Sequence, residues 1–508
     1  MKDRLLIVFI ILISISSLLS YNLEDSIQNF TLDNGMAFFI INKPQVPIFT
    51  GVIVFKVGGV DEALGKTGIS HLIEHMMFKG TPVIGSKGHS AFKNEDRINT
   101  KIDSLEVELE NLFSDNSKRA KEKKASLQKQ IKMYQKQVKE YSIDNAWEIV
   151  YAKAGGDNKN AWTTKAYTTY FISLPSNKLE LWFLMESERF INPYFRELYL
   201  ERDVVTEEYR TDENDPETRL YNLLMGIAFL EHPQRYPTIG YYGDIRRLTL
   251  SKIKDYYSKY YIPNNAVVVL IGDIDVNKAK SLAEKYFGRW KKGSYIPSPW
   301  SGETVIKGER SITIRHDGSP LLMIGYRMPP EPDYTPSLPL SAQNSRDAHI
   351  FEVLSVILGY GKSSRLYKRL VVENKLATDV STSVGDPGPR GPGLFTIQVS
   401  PNEDASFEDI KRVIDEEIEV LKTEAVRDDE LKRVKIGWKA WTLYNWDDDN
   451  VLAESLCVAF INTGDVMYDK KKMEFIQTVT KEDIMRVARE YLIRDQRVIG
   501  YLIKDKGK

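Results

Sequence analysis

The chain has 508 residues, of which 42% are hydrophobic and 28% charged, so it is too long for one hydrophobic core and is expected to contain two or more domains. Its 70 basic and 71 acidic side chains give a formal net charge of -1. That balance excludes a global electrostatic field that would gather nucleic acid or an anionic membrane, so no nucleic-acid partner is expected.

The first twenty residues differ from the rest of the chain. Lys2 and Arg4 precede an apolar run from Leu5 to Leu19, which ends among serines before a polar stretch. This order predicts that residues 1–20 are a secretory signal peptide or an uncleaved membrane anchor, and both remain open. We therefore expect an exported, periplasmic protein that touches a membrane only through this segment.

Two passages of predicted strands indicate an internal duplication. Residues 36–41 and 49–57 are β-rich runs around a turn signal, and residues 311–315 and 320–326 have the same character. Each passage leads into a helical pattern. The repetition predicts two related domains in one chain.

The decisive motif lies in residues 68–82. In a helix, His71, Glu74 and His75 share one face, while an apolar stripe occupies another. Histidines at i and i+4 direct imidazole nitrogens at one point, the spacing that tetrahedral Zn²⁺ requires from a single helix. Glu74 lies beside that point and can act as the base toward a zinc-activated water, in the order H-x-x-E-H. The alternative is that two of only six histidines lie one turn apart on an ordinary amphipathic helix.

Residues 91–150 form a compositional island rich in Lys, Glu, Gln and Asn, without glycine or proline. Apolar residues recur there at 4-3-4-3 spacing in two stripes, which predicts an antiparallel helical hairpin inserted into the first domain. The stripes are Ile98, Ile102, Leu105, Leu109 and Leu112, and then Leu127, Ile131, Tyr134, Val138 and Tyr141. The hairpin is either an arm that contacts a partner or guards a cleft, or a spacer, and the sequence does not decide between them.

A third metal ligand is expected from a later helix. Glu201 and Glu208 flank Val204 and Val205 at i, i+3, i+4 and i+7, which predicts both carboxylates on the buried stripe of that helix. Inward-facing carboxylates need a partner, and a metal with its histidines supplies one. Glu208 is the predicted zinc ligand and Glu201 a carboxylate that orients a histidine, whereas Glu207 points roughly 100° away and is expected to be solvated. A charged surface helix with incidental glutamates is the alternative.

The boundary between the two domains is predicted near residue 300. Residues 291–302 contain two prolines and two glycines, the composition of a linker. The first domain is therefore placed at 21–300 and the second at 301–508. The single cysteine, Cys457, lies in an apolar stretch, cannot form an internal disulfide and is expected to be a small buried core residue.

With these motifs the sequence resembles the pitrilysin/insulinase family of zinc metallopeptidases, whose smaller members include the mitochondrial processing peptidases. The family's zinc helix, its Glu-x6-Glu pair and three further blocks match residues 71–81, 201–208, 160–163, 261–273 and 361–366. The resemblance implies an α+β fold of two tandem, structurally related domains, each a mainly antiparallel sheet packed with helices, of which only the first binds Zn²⁺. It also implies that Asn160 and Ala161 belong to the strand against which a substrate lies.

The second half departs from the metal-binding pattern. His349 and Glu352 repeat the order of the first motif, but Val353 stands in the place of the second histidine, so His349 is expected to be a packed or capping residue. Active single-chain relatives carry an Arg-x6-Tyr pair that helps bind substrate and stabilise the reacting carbonyl, and Val371 and Thr378 occupy those positions here. The resemblance therefore implies a second peptidase-family subunit, in a heterodimer rather than a homodimer, as the source of that support.

The sequence predicts a zinc metalloendopeptidase that hydrolyses peptide bonds in unfolded peptides or short proteins, as the catalytic subunit of a two-chain chamber. The rival hypothesis is a non-catalytic scaffold or binding subunit of such a complex, although only catalysis requires Glu74 beside three ligands. A structural zinc module fits less well, because structural sites are usually closed by four protein ligands.

Overall fold

A computed structural model describes residues 23–294, 302–304, 307–331 and 342–505. Within these residues the chain forms two halves, each with one mainly antiparallel sheet and several helices. The predicted α+β fold of two related halves is confirmed. The predicted signal peptide or anchor and residues 295–301 of the predicted linker lie outside the described residues.

The sheet of the first half has six strands. They are β1 (Ile27–Thr31), β2 (Ala37–Asn42), β3 (Ile48–Phe55), β4 (Asp157–Thr163), β5 (Thr168–Pro175) and β6 (Ala266–Gly272). Their order is β1-β2-β6-β3-β5-β4, and only β2 and β6 pair in parallel. Every residue of β6 is buried, as expected for a strand with neighbours on both edges and both faces covered.

The helices of the first half include the predicted inserted hairpin. They are α1 (Leu23–Ser26), α2 (Ile69–Met76), α3 (His89–Asn111), α4 (Lys118–Val138), α5 (Ala146–Lys153), α6 (Leu179–Ile191), α7 (Leu198–Asn214), α8 (Pro216–Ala228), α9 (Tyr242–Ile245), α10 (Leu250–Tyr260) and α11 (Val276–Phe287). The helices α3 and α4 form the hairpin. The two helices contact each other, and Ile98, Ile102, Leu127, Ile131 and Val138 of the predicted stripes are buried.

The second half repeats the strand order of the first. Its strands are β7 (Arg310–His316), β8 (Leu321–Met328), β9 (Ala377–Asp386), β10 (Gly393–Pro401) and β11 (Val498–Lys504). The order β7-β11-β8-β10-β9 matches β2-β6-β3-β5-β4, and again only the pair that involves the last strand, β7 with β11, is parallel. The internal duplication is thus present in the topology.

The helices of the second half complete the duplication. They are α12 (Ala342–Leu358), α13 (Phe407–Thr423), α14 (Asp428–Asn445), α15 (Asp449–Thr463), α16 (Tyr468–Thr478) and α17 (Lys481–Tyr491), with a π-helix at Tyr367–Glu373. Among the described helices, none alone has the length and apolar composition of a membrane span, although α15 and α16, which meet at 85°, satisfy that test together.

Each half contributes one helix that packs on the sheet of the other half. The helix α15 of the second half lies on the first sheet, where Leu456 and Cys457 pack against Phe39 and Val52. The helix α8 of the first half packs on the second sheet in the same way. Cys457 is fully buried, in agreement with its predicted core position.

A buried ion pair also joins the halves close to α2. Arg390, in the loop between β9 and β10, donates to both carboxylate oxygens of Asp61 at 2.8 and 3.1 Å. Both side chains are buried. Asp61 directly precedes Glu62, whose carboxylate caps the start of α2. The second half therefore contacts the segment that leads into the helix with the predicted metal ligands.

Candidate metal centre

The helix α2 is fixed at both ends. It follows Gly68 (φ 83°) in the left-handed region, where a Cβ would lie 2.3 Å from the Ile239 carbonyl oxygen, so only glycine fits. The Glu62 carboxylate accepts hydrogen bonds from the N–H groups of Gly68 and Ser70 at 2.7 and 2.9 Å, and burial raises the pKa of Glu62 to about 7. These contacts satisfy free donors of the first turn. The register of α2, and hence the direction of its histidines, is set from this end.

The structure brings the three predicted ligands together. Glu208 on α7 faces His71 and His75 on α2, with its Oε2 3.9 Å from Nε2 of His71 and 3.7 Å from Nε2 of His75. One donor atom from each of these three residues lies within 4.8 Å of the other two. Tetrahedral zinc at 2.0–2.2 Å from nitrogen and oxygen donors would separate them by about 3.4 Å. Small side-chain rotations would therefore close this donor set on one ion.

The lowered pKa of His71 also suits a metal. Burial, and secondly the neighbouring His75, lower the pKa of His71 to about 4, so its imidazole is neutral at pH 7 and able to bind a cation. Burial acts to lower the pKa of His75 as well, but the hydrogen bond to Glu201 and the nearby carboxylates outweigh it and raise that pKa. Two imidazoles and one carboxylate are a donor set of catalytic zinc sites, which keep one position open.

Glu201 contacts His75, as predicted for the carboxylate two turns before Glu208 on α7. Its Oε1 lies 3.0 Å from Nδ1 of His75, and its Oε2 lies 2.5 Å from Nζ of Lys79. Burial would raise the pKa of Glu201, but the hydrogen bonds from His75 and Lys79 prevail and lower it. The carboxylate is therefore ionised, holds the proton of His75 at Nδ1 and leaves Nε2 directed at Glu208.

Glu74 lies beside the donor set without joining it. It is 7% exposed, and its Oε2 accepts a hydrogen bond from the Thr163 hydroxyl at 2.9 Å. Burial is the main cause that raises its pKa, and the charge of Glu208 adds to it. A carboxylate whose pKa is raised toward neutrality is a better proton acceptor near pH 7.

The predicted substrate strand lies at the edge of the sheet, next to α2. In β4, Asn160 pairs with Phe171 and Ala161 with Tyr170 of β5, and none of the described strands pairs with the opposite edge of β4. A cavity of about 330 Å³ opens there, lined among others by Glu74, Phe78, Lys159, Asn160 and Glu197. An exposed strand edge beside a cavity offers both backbone and side-chain contacts to an extended peptide.

One part of the prediction for α7 is wrong. Val204 is 46% exposed, while the buried positions of α7 are Leu198, Tyr199, Arg202, Val205 and Thr206. Two of these, Arg202 and Thr206, are polar. The stripe predicted from apolar residues alone is therefore rotated about the helix axis from the observed buried stripe. Glu207 is exposed and pairs with Arg210, in agreement with its predicted solvation.

Sequence analysis missed two residues of this site. Lys79, four residues after His75 and beyond the end of α2, pairs with Glu201. The signal in the sequence was the need of a buried carboxylate for a nearby cation. Thr163 was part of a recognised block, but nothing in the sequence joined its hydroxyl to Glu74. That contact depends on how α2 packs on β4.

The second half has no comparable cluster of metal donors among its described residues. Nε2 of His349 lies 2.7 Å from the Tyr468 hydroxyl, and burial lowers the pKa of this histidine to about 4, as for a packed residue. Glu352 is paired with Lys472 at 2.7 Å. Val371 packs against the hydrophobic core of the second half, and the Thr378 hydroxyl donates to the Ser400 carbonyl at 3.2 Å.

Comparison with known families agrees with this fold and site. The sequence model described as Insulinase (Peptidase family M16) matches residues 131–240, which include Glu201 and Glu208 of α7. The model described as Peptidase M16 inactive domain matches residues 247–437. The histidine helix α2 lies ahead of the first match, which begins at residue 131, within the second helix of the hairpin.

Individual relatives match over most of the chain. The zinc protease PqqE of Helicobacter pylori is 28% identical over 487 residues, 94% of this chain and 92% of that protein. An uncharacterized zinc protease of Mycobacterium leprae is 25% identical over 358 residues, 70% of this chain and 78% of that protein.

Solved structures share the fold. The crystal structure of a protease from Helicobacter pylori has a TM-score of 0.74 at 24% identity and covers 94% of this chain and 99% of that one. The first half of the periplasmic protease PqqL from Escherichia coli has a TM-score of 0.68 at 16% identity, with 94% and 92% coverage.

The two-half fold, together with a His-x-x-Glu-His helix facing a glutamate helix, defines the inverted-zincin class of peptidase-like proteins. Within that class, this chain belongs to the pitrilysin/insulinase family, peptidase family M16.

Proposed function

We propose that this chain is a zinc metalloendopeptidase that hydrolyses peptide bonds in unfolded peptides or short proteins, as the catalytic subunit of a two-chain chamber. The observation that carries the proposal is the position of Glu74, a buried carboxylate that lies beside three metal donors and is hydrogen-bonded to Thr163. A storage or structural site has no use for such a group. Zinc, when bound by His71, His75 and Glu208, supplies a Lewis acid that polarises the substrate carbonyl and acidifies water.

Each residue of the site then has its own role in hydrolysis. Glu74 accepts the proton of the attacking water and returns it to the nitrogen of the departing amine. Thr163 holds one oxygen of Glu74 and leaves the other for that transfer. Glu201, with Lys79, keeps His75 in the tautomer that presents Nε2 to the metal.

The substrate would lie as an added strand on the outer edge of β4, along Asn160 and Ala161. Main-chain hydrogen bonds of this kind bind an extended peptide with little dependence on its side chains. A folded protein cannot offer such a strand, so unfolded peptides and short proteins are the substrates that fit. We place the protein outside the cytoplasm, in the periplasm, from the apolar run that follows Lys2 and Arg4.

A second subunit is proposed for the support of the reacting carbonyl. Val371 and Thr378 stand where an Arg and a Tyr would serve that purpose, and both are engaged within the second half. We expect the isolated, zinc-loaded chain to hydrolyse an unstructured peptide about 10²–10³-fold more slowly than the complete heterodimer, because preorganised donors to an oxyanion contribute that much. Peptide hydrolysis, with mass measured by light scattering on the same sample, tests this.

One outcome would contradict the proposed assembly, and another would contradict the proposed catalytic role. A homogeneous monomer or homodimer with turnover typical of enzymes, roughly 1–10³ per second, would show that this chain stabilises the oxyanion itself. Zinc binding without hydrolysis in any assembly would instead favour the non-catalytic scaffold.

Thr163→Val should lower kcat about 10–100-fold while KM and zinc content stay unchanged, since outer hydrogen-bond partners contribute on that scale. The variant keeps the shape of the side chain but lets the Glu74 carboxylate rotate. Thr163→Ser, which restores the hydroxyl, should recover most of the loss. Steady-state kinetics and metal analysis on the three proteins measure both quantities.

A matched control is available on the neighbouring strand. The buried Thr169 hydroxyl has no hydrogen-bond partner among the described residues, so Thr169→Val removes a hydroxyl without removing a contact. We expect unchanged kinetics for this variant. Equal losses in Thr163→Val and Thr169→Val would refute a specific action on Glu74.

A further inference from the structure

The first helix of the hairpin has a second face that the apolar stripes do not explain. Polar residues recur along α3 at 4-4-3-4 spacing and point toward the body of the first half: Glu95, Asn99, Asp103, Glu106 and Glu110. Their partners lie on α7, just before it or on α10: Arg196, Tyr194, Tyr199, Arg202 and Lys252. A spacer would leave such a face to solvent, yet Glu95 and Glu106 are buried.

Arg196 joins three elements at the start of α7. Its guanidinium pairs with Glu95 of the hairpin and donates to the Lys79 carbonyl at 2.5 Å and the Thr81 carbonyl at 3.2 Å. Those carbonyls belong to the segment that follows the histidine helix α2. The hairpin carboxylate thus neutralises a side chain that links the segment after α2 to the segment before α7.

The next turn of α7 is held in the same way. Arg202 donates to Glu106 at 2.8 Å and to the Leu248 carbonyl at 3.2 Å, and the Tyr199 hydroxyl donates to Asp103. These residues flank Glu201 in sequence. Few apolar side chains of α7 are buried, namely Leu198, Tyr199 and Val205, so hydrophobic packing alone fixes this helix weakly.

We propose that the inserted hairpin is a positioning element for the metal centre: its acidic face fixes α7 against α2 and so sets the distance from Glu208 to the two histidines. The proposal rests on the proposed zinc site, but not on peptide hydrolysis. On this proposal the hairpin is neither of the two alternatives that the sequence left open, an arm that contacts a partner or guards a cleft, or a spacer.

The test is zinc binding by the full chain, titrated against a competing chelator. Asp103→Asn combined with Glu106→Gln removes two charged partners of α7 and leaves every ligand in place. We expect the zinc dissociation constant to rise about 10–100-fold, the scale for groups that orient metal ligands. In the zinc-free protein, amide hydrogens of residues 198–208 should exchange faster, because α7 loses its support.

Glu108→Gln is the matched control on the same helix. Glu108 pairs with Lys123 within the hairpin and is half-exposed, so this change should leave zinc affinity and exchange unaltered. Should the double variant fail to fold, Tyr199→Phe removes a single hydroxyl and should weaken zinc binding roughly 2- to 10-fold.

Two results would overturn the role of the hairpin. Zinc affinity within twofold of wild type in the folded double variant would do so, and so would equal losses in Glu108→Gln. A wild-type chain that binds no zinc would refute the proposed function instead, and hydrogen exchange of α7 in the metal-free protein would still decide whether the hairpin holds this helix.

Discussion

Glu74→Gln is expected to lower peptide turnover about 10²–10⁴-fold and to leave zinc bound, because it removes the proton acceptor but none of the metal donors. The fold should persist, since glutamine can still accept the Thr163 hydrogen bond that Glu74 accepts at 2.9 Å. Burial raises the pKa of Glu74, which means that its charged form is held at a cost in free energy. A neutral glutamine should therefore keep or raise the melting temperature.

Three measurements on the Glu74→Gln protein separate its effects: kcat on an unstructured peptide, zinc content and thermal unfolding. More than a tenth of wild-type turnover at full zinc occupancy would assign the base to another residue. Loss of zinc together with turnover would mean that Glu74 is itself a ligand.

Glu208→Gln should differ from Glu74→Gln in its zinc content. We expect this variant to lose zinc, and to lose turnover because zinc is lost. The change replaces an anionic donor, whose Oε2 lies within 4 Å of both histidines, by a weaker neutral one. We expect zinc affinity to fall by more than about 100-fold, because partners outside the ligand set already contribute 10–100-fold. A competition titration with a chelator, followed by metal analysis of the dialysed protein, measures the loss.

The adjacent glutamate provides the control for this experiment. Glu207 lies on the same helix, has the same side chain and is exposed beside Arg210. Glu207→Gln should therefore keep full zinc affinity. If Glu207→Gln were the variant that loses zinc, the assignment of faces on α7 would be wrong.

The metal centre could be predicted from the sequence because its chemistry is local. His71, Glu74 and His75 fall within two turns of one helix, and a spacing of seven places Glu201 and Glu208 on one side of another. Two such helices define the proposed site. Asn160 and Ala161 were placed by resemblance, and the structure puts them on an edge strand next to α2.

The supports of the centre could not be predicted, because they depend on packing between distant segments. The regular spacing of acidic residues along α3 can be seen in the sequence. Their partners near residue 200 cannot, because those contacts depend on how the hairpin packs against the rest of the first half. The buried stripe of α7 contains Arg202 and Thr206. Because both are polar, the spacing of apolar residues does not identify them as buried. Likewise, the amphipathic pattern of α8 shows which face is buried but not that this face lies on the sheet of the other half.

The position of the last strand constrains when the chain can fold. Residues 498–504 form β11, which separates β7 from β8, so the second sheet cannot be completed before these residues have been synthesised. The first sheet is exposed on one face until α15 arrives, almost two hundred residues after β6. Contacts so distant in sequence form slowly. Neither half can therefore complete its native packing before residue 463 has been synthesised.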